Sequence, residues 1–407
     1  MIPWFLEVLR LRALRRRAEL DERSTVLLLF ARFADEVGSG LLIVLGPTLR
    51  HRLGLSVVQL GWCFQALYSV AAVVEPLTGG AIDLVRRRPL LVWGAAGWGA
   101  GLLLAAGAPN FGWLLAGFAV VGAASGPLTA TADVVLVESH PADVERIASR
   151  STAIDTVGAL LAPAAVALAG RFGVDHRLLL VLAGGAALWY ALALHDAVLP
   201  PPPRSGTSPG VRQALQDVVR VLRDRRARPW LAALVLFEVL DLAELFEPVW
   251  LVDVVGASQT FVAVHAVTGT AASFVGLVLL DRWLRRHDGR TIVLACGLAG
   301  LVLYPVWLLT PGTWNKLALV VPRDLVLAPL WPILRGRALA ALPDRAGTLA
   351  GVTSLLGLLP LAGAFAWVAQ RAGLTRSLLL VHVLASVVLL LVLRGGDLDV
   401  EEARDAV

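Results

Sequence analysis

The stretch GGAIDLVRRRPLLV, Gly79 to Val92, has a glycine, an aspartate and an arginine cluster between two long apolar segments. A second stretch, VGLVLLDRWLRRHDGRTIV from Val275 to Val293, repeats this order in the other half of the chain. Repetition of one pattern at a long interval is the sequence sign of a duplicated structural unit. The two stretches therefore predict a chain built from two related halves.

Composition indicates that the chain lies in a membrane. Of the 407 residues, 57% are hydrophobic and 16% are charged, and the mean hydropathy is +0.74. Soluble globular domains have about 25% charged residues. The formal charge is +5, but the basic residues form short clusters between apolar runs, which is typical of membrane topology and not of a nucleic-acid groove. Cys63 and Cys296 lie far apart within apolar runs, so we expect neither a disulfide nor a metal site.

Apolar runs long enough to cross a bilayer as helices occur throughout the chain. We predict an all-α polytopic membrane protein with twelve transmembrane helices in two pseudo-symmetric six-helix bundles. The predicted spans are residues 24–46, 58–84, 88–108, 111–136, 149–170, 176–199, 229–254, 258–284, 290–310, 314–339, 347–371 and 375–394.

The distribution of basic residues predicts the orientation. Most of the 36 Lys and Arg residues fall on the connectors of one side, which the positive-inside rule assigns to the cytoplasm together with both termini. We expect an integral protein of the cell (inner) membrane. The predicted domains are a cytoplasmic amphipathic segment (1–23), an N-terminal bundle (24–199), a cytoplasmic linker with an amphipathic helix (200–228), a C-terminal bundle (229–394) and a cytoplasmic tail (395–407).

The seventh predicted span contains five carboxylates in the stretch FEVLDLAELFEPVWLVD, Phe237 to Asp253. A carboxylate within a membrane faces the protein interior or a watery cavity and usually has a function. At a rise of about 1.5 Å per residue, Glu238 and Asp241 fall near the middle of the bilayer. We assign these two to a central cavity, Glu244 to its wall and Glu247 to its outer mouth.

Charged residues fall at a similar depth in two further spans. The first span contains Arg32, Asp35 and Glu36, and the tenth contains Arg323 and Asp324. Arg32 and Glu36 are four residues apart, so they either neutralise each other within the helix or face the cavity. In both cases the acids near the middle of the membrane outnumber the bases. We therefore expect these residues to bind substrate and protons.

Arg323 needs a carboxylate partner or water, because a guanidinium keeps its charge at physiological pH. Its neighbour Asp324 points about 100° away around the helix, so we expect it to be a poor partner. The acids at matching depth are Glu238, Asp241, Asp35 and Glu36. We predict that Arg323 faces the central cavity and lies within salt-bridge or one-water reach of at least one of these four.

Three more polar residues are candidate cavity contacts: Gln65, Tyr68 and His265. His265 has two interpretations. It either relays protons or forms a hydrogen bond to a neighbouring helix.

The loop after the second span resembles that of the major facilitator superfamily, and the resemblance extends over essentially the whole chain. The family pattern is a glycine, three residues, an aspartate, a basic residue, any residue, a glycine and two basic residues. Leu84 and Arg86 stand where the family has its first basic residue and second glycine. The resemblance implies a cytoplasmic gate that changes with transport state, whereas the alternative is that the arginines only fix topology. The gate residues are Gly79, Asp83, Arg87 and Arg88, with Asp281 in the repeat.

The same resemblance implies alternating access, with spans one, four, seven and ten around the cavity. The stretch GALLAPAAVALAG is similar to a span-five motif of exporters through Gly158, Ala162 and Pro163, whereas Gly117 replaces the span-four arginine of proton-coupled members. We expect proton-coupled efflux of a small organic compound that is cationic or amphipathic. Proton-coupled uptake of a small solute is the alternative.

Other function classes have less support. The sequence has no HExxH, GxSxG or phosphate-binding loop and no metal-spaced histidines or cysteines, so we do not expect an enzyme. A channel or a sensor that transports nothing is a further alternative. We expect the partners to be a small-molecule substrate, protons and the lipid bilayer, with no nucleic acid, no cofactor and no metal, and we expect a monomer.

Overall fold

The computed structural model describes residues 20, 22–82, 87–139, 144–199, 228–341 and 355–395. These residues form fourteen α-helices and a 3-10 turn. The predicted amphipathic segment, linker helix and tail fall almost entirely outside them. The helices before the linker are α1 (Glu22–Val44), α2 (Gly46–Leu53), α3 (Val57–Ile82), α4 (Arg87–Gly107), α5 (Phe111–Ser139), α6 (Val144–Arg171) and α7 (His176–His195).

The helices after the linker follow the same pattern of long apolar segments and short connections. They are α8 (Arg228–Asp253), α9 (Gln259–Leu284), α10 (Gly289–Leu309), α11 (Thr313–Leu327), α12 (Leu330–Ala341), α13 (Leu361–Ala372) and α14 (Leu374–Gly395), with the 3-10 turn at Leu355–Leu358. Within the described residues, each of the twelve predicted spans overlaps one helix or two consecutive elements, and residues 347–354 of the eleventh span lie outside them. The predicted all-α membrane fold with twelve spans in two bundles is confirmed.

Nine segments within the described residues are long and apolar enough to cross a membrane. Helices α1 and α8 are not among them. Both are long enough, but α8 contains five carboxylates and α1 contains Arg32, Asp35 and Glu36. These two helices are the first span of each half.

The chain divides into two compact units. The first comprises residues 1–44 and 63–208, and the second comprises residues 45–62 and 209–407. The division falls within α3, so α2 and the first turns of α3 belong with the helices that follow the linker. The order of the segments in the sequence does not predict that residues 45–62 pack with the helices of the second unit.

In the first unit, α4 packs closely against α5 and α7. A Cβ atom on Gly101 would lie 2.9 Å from the carbonyl oxygen of Gly117, and one on Gly99 would lie 2.7 Å from that of Gly184. Small residues allow helix backbones in a membrane to approach this closely. Packing therefore explains these glycines without a binding role.

In the second unit, the tenth span is interrupted between α11 and α12. Pro329 lies in the interruption and has no N–H group for the carbonyl of Leu325, its partner four residues earlier. That carbonyl faces α9, where a Cβ on Gly276 would lie 2.3 Å from it. The break leaves Arg323 and Asp324 on a short helix that packs against α9.

Candidate functional site

Helix α8 distributes its carboxylates between exposed and buried positions. Glu238 is half-buried, and Asp241 and Glu244 are exposed. Glu247, one turn further on, is only 5% exposed. Because three residues correspond to 300° of helical rotation, each acid of this series lies about 60° around the helix from the previous one. One helix therefore presents acids both to the packed interior of the second unit and to an uncovered face.

The buried end of this series contacts Arg323 of α11. Arg323 is 3% exposed, and its Nη1 donates to Oε1 of Glu247 at 2.9 Å. Its Nε donates to Oδ1 of Asp324 at 2.5 Å. The guanidinium carbon lies 4.2 Å from the ring centroid of Trp307 and 5.6 Å from that of Tyr304. Two carboxylates and two aromatic rings therefore compensate the loss of water around this cation.

These contacts correct three of the sequence-based expectations. The carboxylates bonded to Arg323 are Glu247 and Asp324, which are not among the four acids expected. Asp324 is a good partner because Nε lies close to the backbone, within reach of the next side chain. Glu247 is a buried partner of Arg323 and not a residue of an outer mouth, because the long arginine side chain spans the difference in depth.

Lys316, at the start of α11, is a second buried base. Its Nζ donates to the carbonyls of Trp307 at 2.5 Å and Leu308 at 2.8 Å, in the last turn of α10. In return, Nε1 of Trp307 donates to the carbonyl oxygen of Lys316 at 3.2 Å. The ammonium also lies 4.8 Å from the ring centroid of Trp250. Lys316 thereby holds Trp307 in place, and Trp307 in turn packs on Arg323.

His265 of α9 lies beside this cluster. It is 5% exposed, and its ring centroid lies 5.5 Å from that of Trp307. Its buried Nε2 has no hydrogen-bond partner among the residues that the structure describes. This concerns Nε2 alone, so both interpretations of His265, proton relay and hydrogen bond to a neighbouring helix, stay open.

Asp324 is also fixed from the α9 side. A Cβ atom on Gly269 would lie 2.2 Å from Oδ2 of Asp324. The carboxylate thus occupies the space that any other residue at position 269 would fill. Gly269 is required here for the close approach of a charged group to the α9 backbone.

The first unit holds a separate charged group around α1. Arg32 forms an ion pair with Asp133 of α5, and both side chains are about one third exposed, at 34% and 33%. Asp35 accepts hydrogen bonds from Nε1 of Trp98 at 2.9 Å and from Oγ of Ser125 at 2.8 Å. The sequence left open whether Arg32 pairs with Glu36, and the structure pairs it with Asp133.

The remaining predicted residues have mixed outcomes. Gln65 is buried and donates to Oγ of Ser69 at 2.7 Å, and Tyr68 is exposed. In the predicted gate group, Arg87 pairs with Glu138 at 2.8 Å, and Arg88 donates to the carbonyl of Ala197 at 2.9 Å. Gly79 is helical. Asp83 and the side chain of Asp281 lie outside the described residues.

Sequence reasoning missed Asp133, Trp98, Ser125 and Lys316. Asp133 could have been found, because it is a carboxylate within the fourth span. Lys316 lies close enough to the start of its span to have been assigned to the interface. Trp98 and Ser125 give no such signal, since only the packing of α1 against its neighbours makes them partners of Asp35. Within the described part of the chain, no three His, Cys, Asp or Glu side chains are placed to hold a metal ion.

Comparisons with known proteins identify the fold. The sequence model of the Major Facilitator Superfamily matches residues 28–366. A sequence comparison with curated proteins gives no match. Among solved structures, a variant of the nucleoside transporter NupG aligns with a TM-score of 0.76 at 15% identity, covering 92% of this chain and 100% of that one.

Two further transporters have the same fold. A bacterial homologue of the human lysosomal transporter Spinster, in an inward-facing and unoccupied conformation, aligns with a TM-score of 0.68 at 16% identity, over 92% of this chain and 97% of that one. A POT family transporter in complex with 5-aminolevulinic acid aligns with a TM-score of 0.72 at 12% identity, over 92% and 96% of the two chains. At such identities the likeness establishes architecture alone.

Proposed function

Because the chain belongs to the Major Facilitator Superfamily of membrane transporters, we propose that it exports a small organic cation or amphipathic compound in exchange for protons. The proposal includes alternating access between the two sides of the membrane. It also places both termini and residues 204–228 in the cytoplasm, as the distribution of basic residues predicts.

The observation that carries the proposal is the presence of carboxylates without a counterion on α8. Asp241 and Glu244 are exposed on a membrane span. In the described part of the second unit, no ion pair joins either of them to a base. The two bases buried nearby are already engaged, Arg323 by Glu247 and Asp324 and Lys316 by backbone carbonyls. A proton or a cationic substrate is the ligand that such acids lack.

Competition between these two ligands would couple transport to the proton gradient. A proton bound to Asp241 or Glu244 removes the charge that attracts an organic cation, and its release restores that charge. The half-buried Glu238 lies one turn away on the same helix.

Support for the outward direction comes from α6. A Cβ on Gly158 would lie 2.9 Å from the carbonyl oxygen of Phe33, and a Cβ on Gly40 would lie 2.9 Å from Cβ of Ala162. The Gly158 to Pro163 segment thus forms the close contact between α6 and the charged helix α1. This is the segment that resembles the span-five motif of exporters.

A transport assay in proteoliposomes tests the proposal, with ethidium as the probe cation. An imposed pH gradient should drive ethidium against its own gradient with the wild type, and much less with the Asp241→Asn/Glu244→Gln double variant. Asp175→Asn is the control, because it changes an exposed acid that caps α7 and keeps an oxygen for the cap. Equal gradient-driven transport by the double variant would contradict proton coupling through α8. Movement of the probe in the opposite sense would identify an importer.

A further inference from the structure

Two carbonyls at the end of α10 lack the donors that a continuing helix would supply. The backbone leaves the helix at Thr310, which is extended. The carbonyl of Trp307 would accept from residue 311, but Pro311 has no N–H group. The carbonyl of Leu308 would accept from Gly312, which lies beyond the extended residue and has a φ of +90°. The sequence therefore leaves both carbonyls open to another donor.

The ammonium of Lys316 is that donor. Its Nζ donates to the carbonyl of Trp307 at 2.5 Å and to that of Leu308 at 2.8 Å. Lys316 is 2% exposed, and within the described residues no carboxylate forms an ion pair with it. The carbonyl end of a helix carries partial negative charge, which favours a cation there. The ammonium is therefore bound by a helix end and not by an acid.

Two indole rings complete the surroundings of this ammonium. Nζ lies 4.8 Å from the ring centroid of Trp250 and 5.6 Å from that of Trp307, and the two centroids are 5.2 Å apart. We call these two rings, with the carbonyls of Trp307 and Leu308, the ammonium site. Two of the three N–H groups of an ammonium bond to the carbonyls, and the indole faces attract its charge. These are the groups that recognise a primary alkylammonium ion.

The ammonium site is held by bonds that do not involve the lysine side chain. Nε1 of Trp250 donates to Oγ1 of Thr375 at 2.8 Å. Nε1 of Trp307 donates at 3.2 Å to the backbone carbonyl of Lys316, which any residue at this position keeps. The two residues before Lys316, Trp314 and Asn315, are exposed. A shorter side chain at position 316 would therefore leave a preformed site close to the protein surface.

We propose that the ammonium site binds primary alkylammonium groups. Lys316 fills it from within the chain, and an external alkylammonium ion fills it when that side chain is shortened. Lys316 and Arg323 are seven residues apart on one face of α11, and both cations lie near the ring of Trp307. Occupancy of the site therefore determines the position of the ring on which Arg323 packs. The inference is independent of the substrate and of the direction of transport.

Thermal unfolding in detergent tests the ammonium site without a transport assay. Lys316→Ala should lower the midpoint by about 5 °C or more, because two buried carbonyls lose their donor. Propylammonium contains the atoms that the substitution removes, so it should recover about half of this loss or more, in a saturable manner. Tetramethylammonium is the matched control ion, since it has the same charge but no N–H group to donate.

Lys316→Met is the matched control variant. Its apolar side chain fills the space of the lysine, so propylammonium should change neither its midpoint nor that of the wild type. Recovery by propylammonium alone, and in Lys316→Ala alone, would support the ammonium site. No recovery, equal recovery by tetramethylammonium or equal recovery of Lys316→Met would overturn it.

The test also covers a Lys316→Ala variant that does not fold by itself. Such a variant is expressed and purified with propylammonium present throughout, and in parallel with tetramethylammonium. A folded, monodisperse protein with propylammonium alone would support the ammonium site. An aggregated protein with both ions, or a folded one with both, would overturn it.

Discussion

Nη1 of Arg323 lies 2.9 Å from Oε1 of Glu247, and both side chains are almost completely buried. The pair joins α11 to α8, which are the tenth and seventh spans. A buried ion pair adds little net stability, but removing one partner leaves an uncompensated charge in a medium that cannot solvate it. The ion pair therefore fixes the position at which α8 and α11 contact each other. Because Arg323 is already paired, it is not free to bind an anionic substrate.

The first prediction is that Glu247→Gln destabilises the protein by about 3–5 kcal/mol, the usual effect of breaking a buried ion pair. Thermal unfolding in detergent measures this as a lowered midpoint. Glu244→Gln is the matched control on the same helix, because Glu244 is exposed and should change the midpoint little. Equal midpoints for the two variants would contradict a structural role for the Glu247 pair.

Arg323→Ala should be at least as harmful as Glu247→Gln, because it strands two carboxylates, Glu247 and Asp324. Adding Glu247→Gln to Arg323→Ala should recover part of the lost stability, since one stranded charge disappears. Fully additive losses in the double variant would show that the two residues do not act as a pair.

The second prediction concerns the uncovered face of α8. Asp241→Asn should leave the unfolding midpoint close to that of the wild type and lower gradient-driven transport of ethidium by about tenfold or more, because the change keeps the shape and removes the ionisable group. Glu238→Gln should act in the same direction. Proton movement coupled to ethidium, followed with a pH-sensitive dye inside the vesicles, would fall with it. Undiminished proton movement would exclude Asp241 as a proton carrier.

The third prediction is that Gly269→Ala disturbs Asp324. The new Cβ would lie 2.2 Å from Oδ2 of Asp324, and Arg323 restrains that carboxylate on its other side. We expect a loss of about 1–3 kcal/mol, as for other overpacked positions. Gly336→Ala is the control in the same unit, because no atom beyond its chain neighbours and the adjacent backbone of its own helix lies within 4 Å of the added Cβ. A neutral Gly269→Ala variant would mean that Asp324 can move away freely.

Membrane spans could be predicted from the sequence because hydrophobic length is a local property. Over the residues that the structure describes, every predicted span overlaps a helix or two consecutive elements, and even the charged first and seventh spans were identified. Partners of charged residues were predicted less well, because they depend on how long side chains reach between helices. The depth of residues along α8 suggested Glu238 and Asp241 as carboxylate partners of Arg323. In the structure the guanidinium instead donates to Glu247. The break at Pro329 was not predicted, since the prediction for residues 314–339 is one continuous span, and the position of Asp324 against α9 required the packing of the helices.

The fourth prediction concerns orientation. A cysteine at Ser205, within the predicted cytoplasmic linker, should be protected from an impermeant maleimide in intact cells and should react after the cells are opened. Arg52→Cys, at an exposed position of α2 on the predicted outer side, is the positive control. Labelling of position 205 from outside would reverse the assignment of both termini.

The last prediction compares the two arginine pairs by their exposure. Arg32 and Asp133 are each about one third exposed, whereas Arg323 and Glu247 are nearly inaccessible. Water can therefore solvate Asp133 when Arg32 is removed, so Arg32→Gln should destabilise the protein by about 1 kcal/mol or less, well below the effect of Glu247→Gln.

The same variant should clearly lower ethidium transport although it changes the unfolding midpoint little. The reason is that Asp133 then lacks its positive partner, Arg32. Asp133→Asn in the Arg32→Gln background should restore part of the ethidium transport, while the unfolding midpoint stays nearly constant across the wild type and these two variants. A drop in the midpoint as large as that of Glu247→Gln would show instead that the Arg32 pair holds the first unit together.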